Sequence, residues 1–127
     1  MPSPKLLVVI ATYNEMENLP ALVDRLLRLL PGATVLVIDD NSPDGTGQWC
    51  VDSAREQSHL KCLIRTGKLG LGSATLHGLQ YGITHDFDLI ATMDGDFSHQ
   101  PEDLVVRYYP QCHKATHPSM VPVKLRG

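Results

Sequence analysis

Asp94 and Asp96 stand one residue apart where the apolar run of LIATMDGDFSHQPED gives out. In an extended chain alternate side chains point the same way, so carboxylates spaced like this can converge on one point just past a strand. Oxygen donors of this kind suit a hard divalent cation such as Mg2+ or Mn2+, which can bridge carboxylates to a diphosphate and still keep positions for water. The bland alternative is a solvated turn with Asp94 as a helix cap, and D-x-D alone does not choose between the two. Context favours the first, because a second acidic pair, Asp39-Asp40, closes another apolar run.

Adjacent carboxylates at a strand end repel unless a cation or hydrogen-bond donors hold them. The ribose hydroxyls and base N–H groups of a nucleoside are donors of the right kind. Asn41 to Gly45, in DDNSPDGT, also read as an Asx or type I turn capping the next helix. In RTGKLGLGSA, Gly67, Gly70 and Gly72 accompany Arg65 and Lys68. Glycines let backbone approach a phosphate at a helix N-terminus, although neither the P-loop order nor the full dinucleotide fingerprint is present. The six His fit no zinc spacing, and His99 reads as a surface residue.

These groups need elements to position them. KLLVVIA (Lys5 to Ala11) and TVLVIDD (Thr34 to Asp40) are continuously apolar and β-branched, as strands covered on both faces are. Between them Leu19, Leu22, Val23, Leu26, Leu27 and Leu30 recur at helical spacing, with Asn18 as N-cap and Pro31-Gly32 as the stop. Thr46 to Gln57 reads as a second helix and Leu60 to Arg65 as a third strand. A third helix then shows Leu76, Leu79 and Ile83 on one face, Asp88 to Met93 reads as a fourth strand, and a short helix can begin near Pro101. Strand and helix in strict alternation predict an α/β fold with an open, mostly parallel, doubly wound (Rossmann-like) sheet. Ligands in such sheets bind beyond the carboxyl ends of the strands, where TYNE, DDNSPDGT and DGD fall.

The 127 residues suffice for one modest core, and eleven basic against fourteen acidic side chains give a net charge of −3. No single-sign block marks a nucleic-acid footprint, so nucleic acid is excluded as a partner. The apolar runs fall short of the ~18 residues of a membrane span, and the N-terminus lacks a signal-peptide core, which points to the cytoplasm. Cys50, Cys62 and Cys112 form neither a disulfide framework nor zinc pairs, and read as reduced, mostly buried thiols.

In their order, VVIATYNEMENL, VLVIDDNSPDGT, RTGKLGLGSATLHGL and LIATMDGDFSHQPEDL resemble the N-terminal part of the inverting, GT-A-type family 2 glycosyltransferases. More narrowly they resemble the dolichol-phosphate (polyprenol-phosphate) mannosyltransferases, over about residues 5–104. The resemblance implies that Thr12, Tyr13 and Glu15 line a base and ribose pocket completed by Asp39 and Asp40. It implies that Asp94 and Asp96 hold Mg2+ or Mn2+ against the diphosphate of a sugar nucleotide, typically GDP-mannose, and that Lys68 lies near the phosphates or the acceptor route. Some relatives carry a further metal ligand, often Gln, where this chain has Ser98. A polyprenyl or dolichyl phosphate acceptor is already anionic and needs no strong base, whereas a hydroxyl acceptor would require one, for which Asp96 or an acid outside this segment is a candidate.

The alternatives are a transferase using a UDP-sugar to build a glycosyl lipid or polysaccharide, and a non-catalytic nucleotide-binding fragment. A signalling receiver domain would need its acid pair after the first strand rather than the second. After PEDL the resemblance ends. We therefore expect an α/β nucleotide-sugar-binding domain over 1–106, an incomplete GT-A, and an irregular tail over 107–127, truncated or read from an altered frame. Peripheral contact with the cytoplasmic membrane face and self-association over open sheet edges are further expectations.

Overall fold

The computed structural model describes residues 5–66, 70–94 and 120–122. Strands β1 (Leu6–Thr12), β2 (Thr34–Asp39), β3 (Leu60–Ile64), β4 (Leu89–Asp94) and β5 (Met120–Pro122) form one sheet in the order β3-β2-β1-β4-β5. The first four are parallel, and β5 runs antiparallel to β4 with Ile90 opposite Val121. Helices α1 (Leu19–Leu29), α2 (Thr46–Glu56) and α3 (Leu71–Thr84) link them. The α/β, doubly wound expectation holds, with each boundary within a residue or so of its sequence reading. The tail is not irregular throughout, since Met120–Pro122 extends the sheet. The boundary at residues 106 and 107 and the helix expected near Pro101 lie outside the described residues.

Sheet order explains the layers. The chain steps from β1 to β2 to β3 in one direction, so right-handed crossovers put α1 and α2 on the same face. It then returns past β1 to β4, which sends α3 to the other face. Leu19, Leu22, Val23 and Leu26 of α1 and Cys50 of α2 bury against Leu6, Val8, Ile10, Val35 and Val37. Leu7, Val9, Leu36, Ile38 and Ile90 point to the α3 side, where Ala74 and Phe87 complete a second cluster. Strands buried on both faces explain the unbroken apolar runs that Leu6 to Ile10 and Val35 to Ile38 show in sequence.

Two local expectations are corrected. Asn18 precedes α1 but its side chain makes no cap hydrogen bond; the Glu15 carbonyl accepts from the N–H groups of Asn18 and Leu19 at 3.1 and 2.8 Å instead. In α3, Leu76 and Ile83 are each 62% exposed, and the buried ridge is Ala74, Gly78 and Gly82, four residues apart. A Cβ at Gly78 would come 2.5 Å from Val9 Cγ1 and one at Gly82 would come 2.3 Å from Ile90 Cδ1. The helix backbone therefore rests directly on β1 and β4, and smallness rather than hydrophobicity decides which face turns inward.

Candidate functional site

The chain leaves β1 towards β2 on one side and later reaches β4 on the other, so β1 and β4 flank the reversal point of strand order. Outside the carboxyl ends of such a pair lies the crevice where open α/β sheets bind ligands. Ala11 pairs with Asp94 and Thr12 with Asp39, so the ends of β1, β2 and β4 lie level at one edge. Asp94 is the last residue of β4. Asp96, Lys68, Ser98 and His99 lie outside the described residues.

Asp39 is fully buried and held by three donors. Its Oδ1 accepts from the hydroxyls of Thr12 (2.8 Å) and Ser42 (2.6 Å), and its Oδ2 from the Ser42 N–H (2.8 Å). Gly47, in the first turn of α2, is packed so closely that a Cβ there would stand 2.9 Å from Asp39 Oδ2. Asp40, beside it, takes Arg65 Nε at 2.6 Å on Oδ1 and the Gly70 N–H at 3.2 Å on Oδ2. The guanidinium reaches on to Ser73 Oγ (2.7 Å) and the Gly70 carbonyl (3.0 Å). The adjacent acids are thus stabilised from inside the protein, by hydroxyls and an arginine, where the sequence reading assigned that task to a nucleoside. Arg65 is buried in an ion pair that joins the ends of β2 and β3 to the start of α3.

The loop after β1 carries Tyr13 and Glu15, both half-buried. Asn14 between them has a left-handed backbone (φ 57°), a conformation Asn tolerates better than most residues. The N–H groups of Asn14, Glu15 and Met16 donate in turn to Ser42 Oγ (2.8 Å), Thr46 Oγ1 (3.1 Å) and Asp44 Oδ2 (3.1 Å). Asp44 also holds the first residue of α2, accepting from the N–H (3.0 Å) and the hydroxyl of Thr46. Its slight burial would raise its carboxyl, but the hydrogen bonds from the Thr46 hydroxyl and from the Met16 and Thr46 N–H groups prevail and hold it below the ordinary 3.8.

Ser42, Asp44, Thr46 and Ser73 were missed as site-building residues: turn propensity already accounted for the first two, and Thr46 read as the start of a helix. Arg65 left a readable signal: it closes β3 beside the acids that close β2, and neighbouring parallel strands put those ends side by side. Among the described residues no group of three or more His, Cys, Asp or Glu is arranged to hold a metal.

The family model described as "Glycosyl transferase family 2" matches residues 7–109. The undecaprenyl-phosphate mannosyltransferase of Micrococcus luteus is 46% identical over 100 residues, covering 79% of this chain and 41% of that protein. The polyprenol monophosphomannose synthase of Mycolicibacterium smegmatis is 42% identical over 104 residues, 81% of this chain and 39% of the relative. The chain thus spans about two fifths of the length of these relatives. Among solved structures, the mannosyltransferase PcManGT from Pyrobaculum calidifontis, in complex with GDP-Man and Mn2+, superposes with a TM-score of 0.60 at 22% identity, covering 76% of this chain and 28% of that one. S. aureus TarS gives 0.68 at 23% identity, covering 86% and 33%. These likenesses show the fold, that of the N-terminal part of the GT-A glycosyltransferases.

Proposed function

The chain belongs to glycosyl transferase family 2, and on that premise we propose that it is the donor-binding part of an enzyme that transfers mannose from GDP-mannose to a polyprenyl or dolichyl phosphate. The observation that carries the proposal is the reversal point of the sheet, where the loop bearing Tyr13 and Glu15 and the Asp94 end of β4 emerge level and side by side. The mannosyl donor and the polyprenyl acceptor are supported by the named activities of the Micrococcus and Mycolicibacterium relatives.

Thr12, Tyr13 and Glu15 line the base and ribose, with Asp39 and Asp40 forming the wall behind them. By the resemblance, Lys68 would serve the diphosphate or the acceptor route. Asp94 and Asp96 offer oxygen donors only, the set that Mg2+ or Mn2+ prefers, and when bound the ion offsets charge on the departing nucleoside diphosphate. The Mn2+ in the Pyrobaculum complex is in keeping with such a site. A phosphate acceptor arrives already ionised, so no side chain of this segment has to remove a proton. A lipid acceptor places the work at a membrane surface, peripherally and on its cytoplasmic side. No helix among the described residues is long and apolar enough to cross a membrane. The outer edge of β3 is the surface a second copy would cover.

Titration calorimetry with GDP and with UDP, each with and without Mn2+, tests the proposal when repeated on Asp94→Asn/Asp96→Asn. Metal-dependent GDP binding that the double variant loses is the expected result. A preference for UDP would replace the mannosyl donor by a UDP-sugar and make the product another glycosyl lipid or a polysaccharide. Absence of binding to either nucleotide would reduce this chain to a fragment with no donor site of its own.

A further inference from the structure

Three successive backbone N–H groups, those of Asn14, Glu15 and Met16, all end on side chains of one short segment, Ser42, Thr46 and Asp44, that leads into α2. Backbone N–H groups away from regular elements are paired by backbone, side chains or water, and here side chains of a neighbouring segment do it. Here each acceptor is itself tied down. Ser42 Oγ donates to buried Asp39 and Thr46 Oγ1 donates to Asp44, which in turn accepts the Thr46 N–H at the start of α2. The Glu15 carbonyl is held from the other side by the N–H groups of Asn18 and Leu19. The N–H groups of the backbone that carries Tyr13 and Glu15 are therefore held by Ser42, Asp44 and Thr46, backed by Asp39 and the start of α2.

We propose that Asp39, Ser42, Asp44 and Thr46 are positioning residues for nucleotide recognition: they touch no nucleotide, and they set base selectivity by fixing the backbone on which Tyr13 and Glu15 are displayed. The proposal rests on the donor-site reading above and assigns Asp39 the role its burial permits. Networks of this type act as a unit, since each hydrogen bond orients the next. Ser42→Ala removes the acceptor of the Asn14 N–H and one donor to Asp39. Thr46→Val keeps the buried volume but removes the acceptor of the Glu15 N–H. Ser42→Thr keeps the hydroxyl.

The test measures GDP and UDP affinity with Mn2+ for the full chain and these variants, alongside amide hydrogen exchange at Asn14, Glu15 and Met16. A core variant, Leu22→Ala, controls for general destabilisation. With each lost bond weighing on the order of 1 kcal/mol, Ser42→Ala and Thr46→Val are expected to weaken binding of the preferred nucleotide by about five- to tenfold. The GDP-to-UDP affinity ratio should move towards one, and protection at residues 14–16 should fall. Ser42→Thr should restore both, and Leu22→Ala should leave the ratio unchanged. Should the wild-type chain bind a nucleotide while Ser42→Ala and Thr46→Val keep its affinity and ratio, the positioning role is wrong and the donor-site reading stands. Should the wild-type chain bind neither nucleotide, the donor-site reading fails and takes this inference with it. Should Ser42→Ala not fold, Thr46→Val decides alone.

Discussion

Replacing Arg65 by Met should unfold this protein far more easily than any surface change would. The side chains of Arg65 and Asp40 are 2% and 7% exposed, and Nε stands 2.6 Å from Oδ1. Removing the guanidinium leaves a buried carboxylate without its cation and deprives Ser73 Oγ and the Gly70 carbonyl of their donors. Breaking a buried pair from one side costs about 3–5 kcal/mol, against total domain stabilities on the order of 5–15 kcal/mol. With a urea dependence of about 1–3 kcal/mol per molar, the unfolding midpoint should fall by at least about 1 M. Trp49, the single tryptophan, packs against the core on α2 and reports the transition by its fluorescence. The double variant Asp40→Asn/Arg65→Met removes the stranded charge and should recover about half the loss, because the penalty lies in the orphaned carboxylate more than in the missing attraction. A loss below about 1 kcal/mol, or a double variant no more stable than Arg65→Met, would refute the reasoning.

Gly78→Ala should lower the melting temperature more than Gly82→Ala, since the new methyl at 78 meets both γ-carbons of stiff, β-branched Val9 whereas that at 82 meets first the movable Cδ1 of Ile90. Overpacking of about 1–3 kcal/mol exceeds the ~1 kcal/mol that alanine returns in helix propensity. The Asp44 carboxyl is lowered in the folded state, so its contribution is complete above the unfolded value near 3.8 and fades as pH falls below it; Asp44→Asn should flatten that part of the stability–pH curve measured by urea unfolding. Of the two free thiols among the described residues, a hydrogen bond from Cys50 lowers Cys62, while that same bond and burial raise Cys50. Iodoacetamide at pH 8 should therefore alkylate Cys62 well before Cys50, read by peptide mass mapping.

The parallel sheet was legible because β1, β2 and β4 are buried on both faces, and continuous β-branched runs such as Leu6 to Ile10 have few other uses. The strand-end acids were legible for the same reason, as charges that terminate apolar runs. The inward face of α3 was not, because periodicity weighs side chains by hydrophobicity and scores Gly78 and Gly82 as blanks. At those positions the absence of a side chain is what brings helix and sheet together. The hydroxyl partners of Asp39 were hidden for a different reason. They come from Thr12 and Ser42, whose nearness follows from strand pairing and a turn's path, and residue type does not carry that information. Met120–Pro122 pair with β4 as an edge addition, which needs few residues and leaves little pattern behind.

The loop after β1 is gripped by its backbone N–H groups, and this separates its shape from its chemistry. Side chains at 13, 15 and 16 can be exchanged without disturbing the acceptors on the neighbouring turn, provided no proline takes position 14, 15 or 16. The loop is thus a cassette: a library varied at Tyr13, Glu15 and Met16 should keep its fold in nearly every member while sampling new bases. A library of equal size varied at Ser42, Asp44 and Thr46 should yield mostly misshapen proteins.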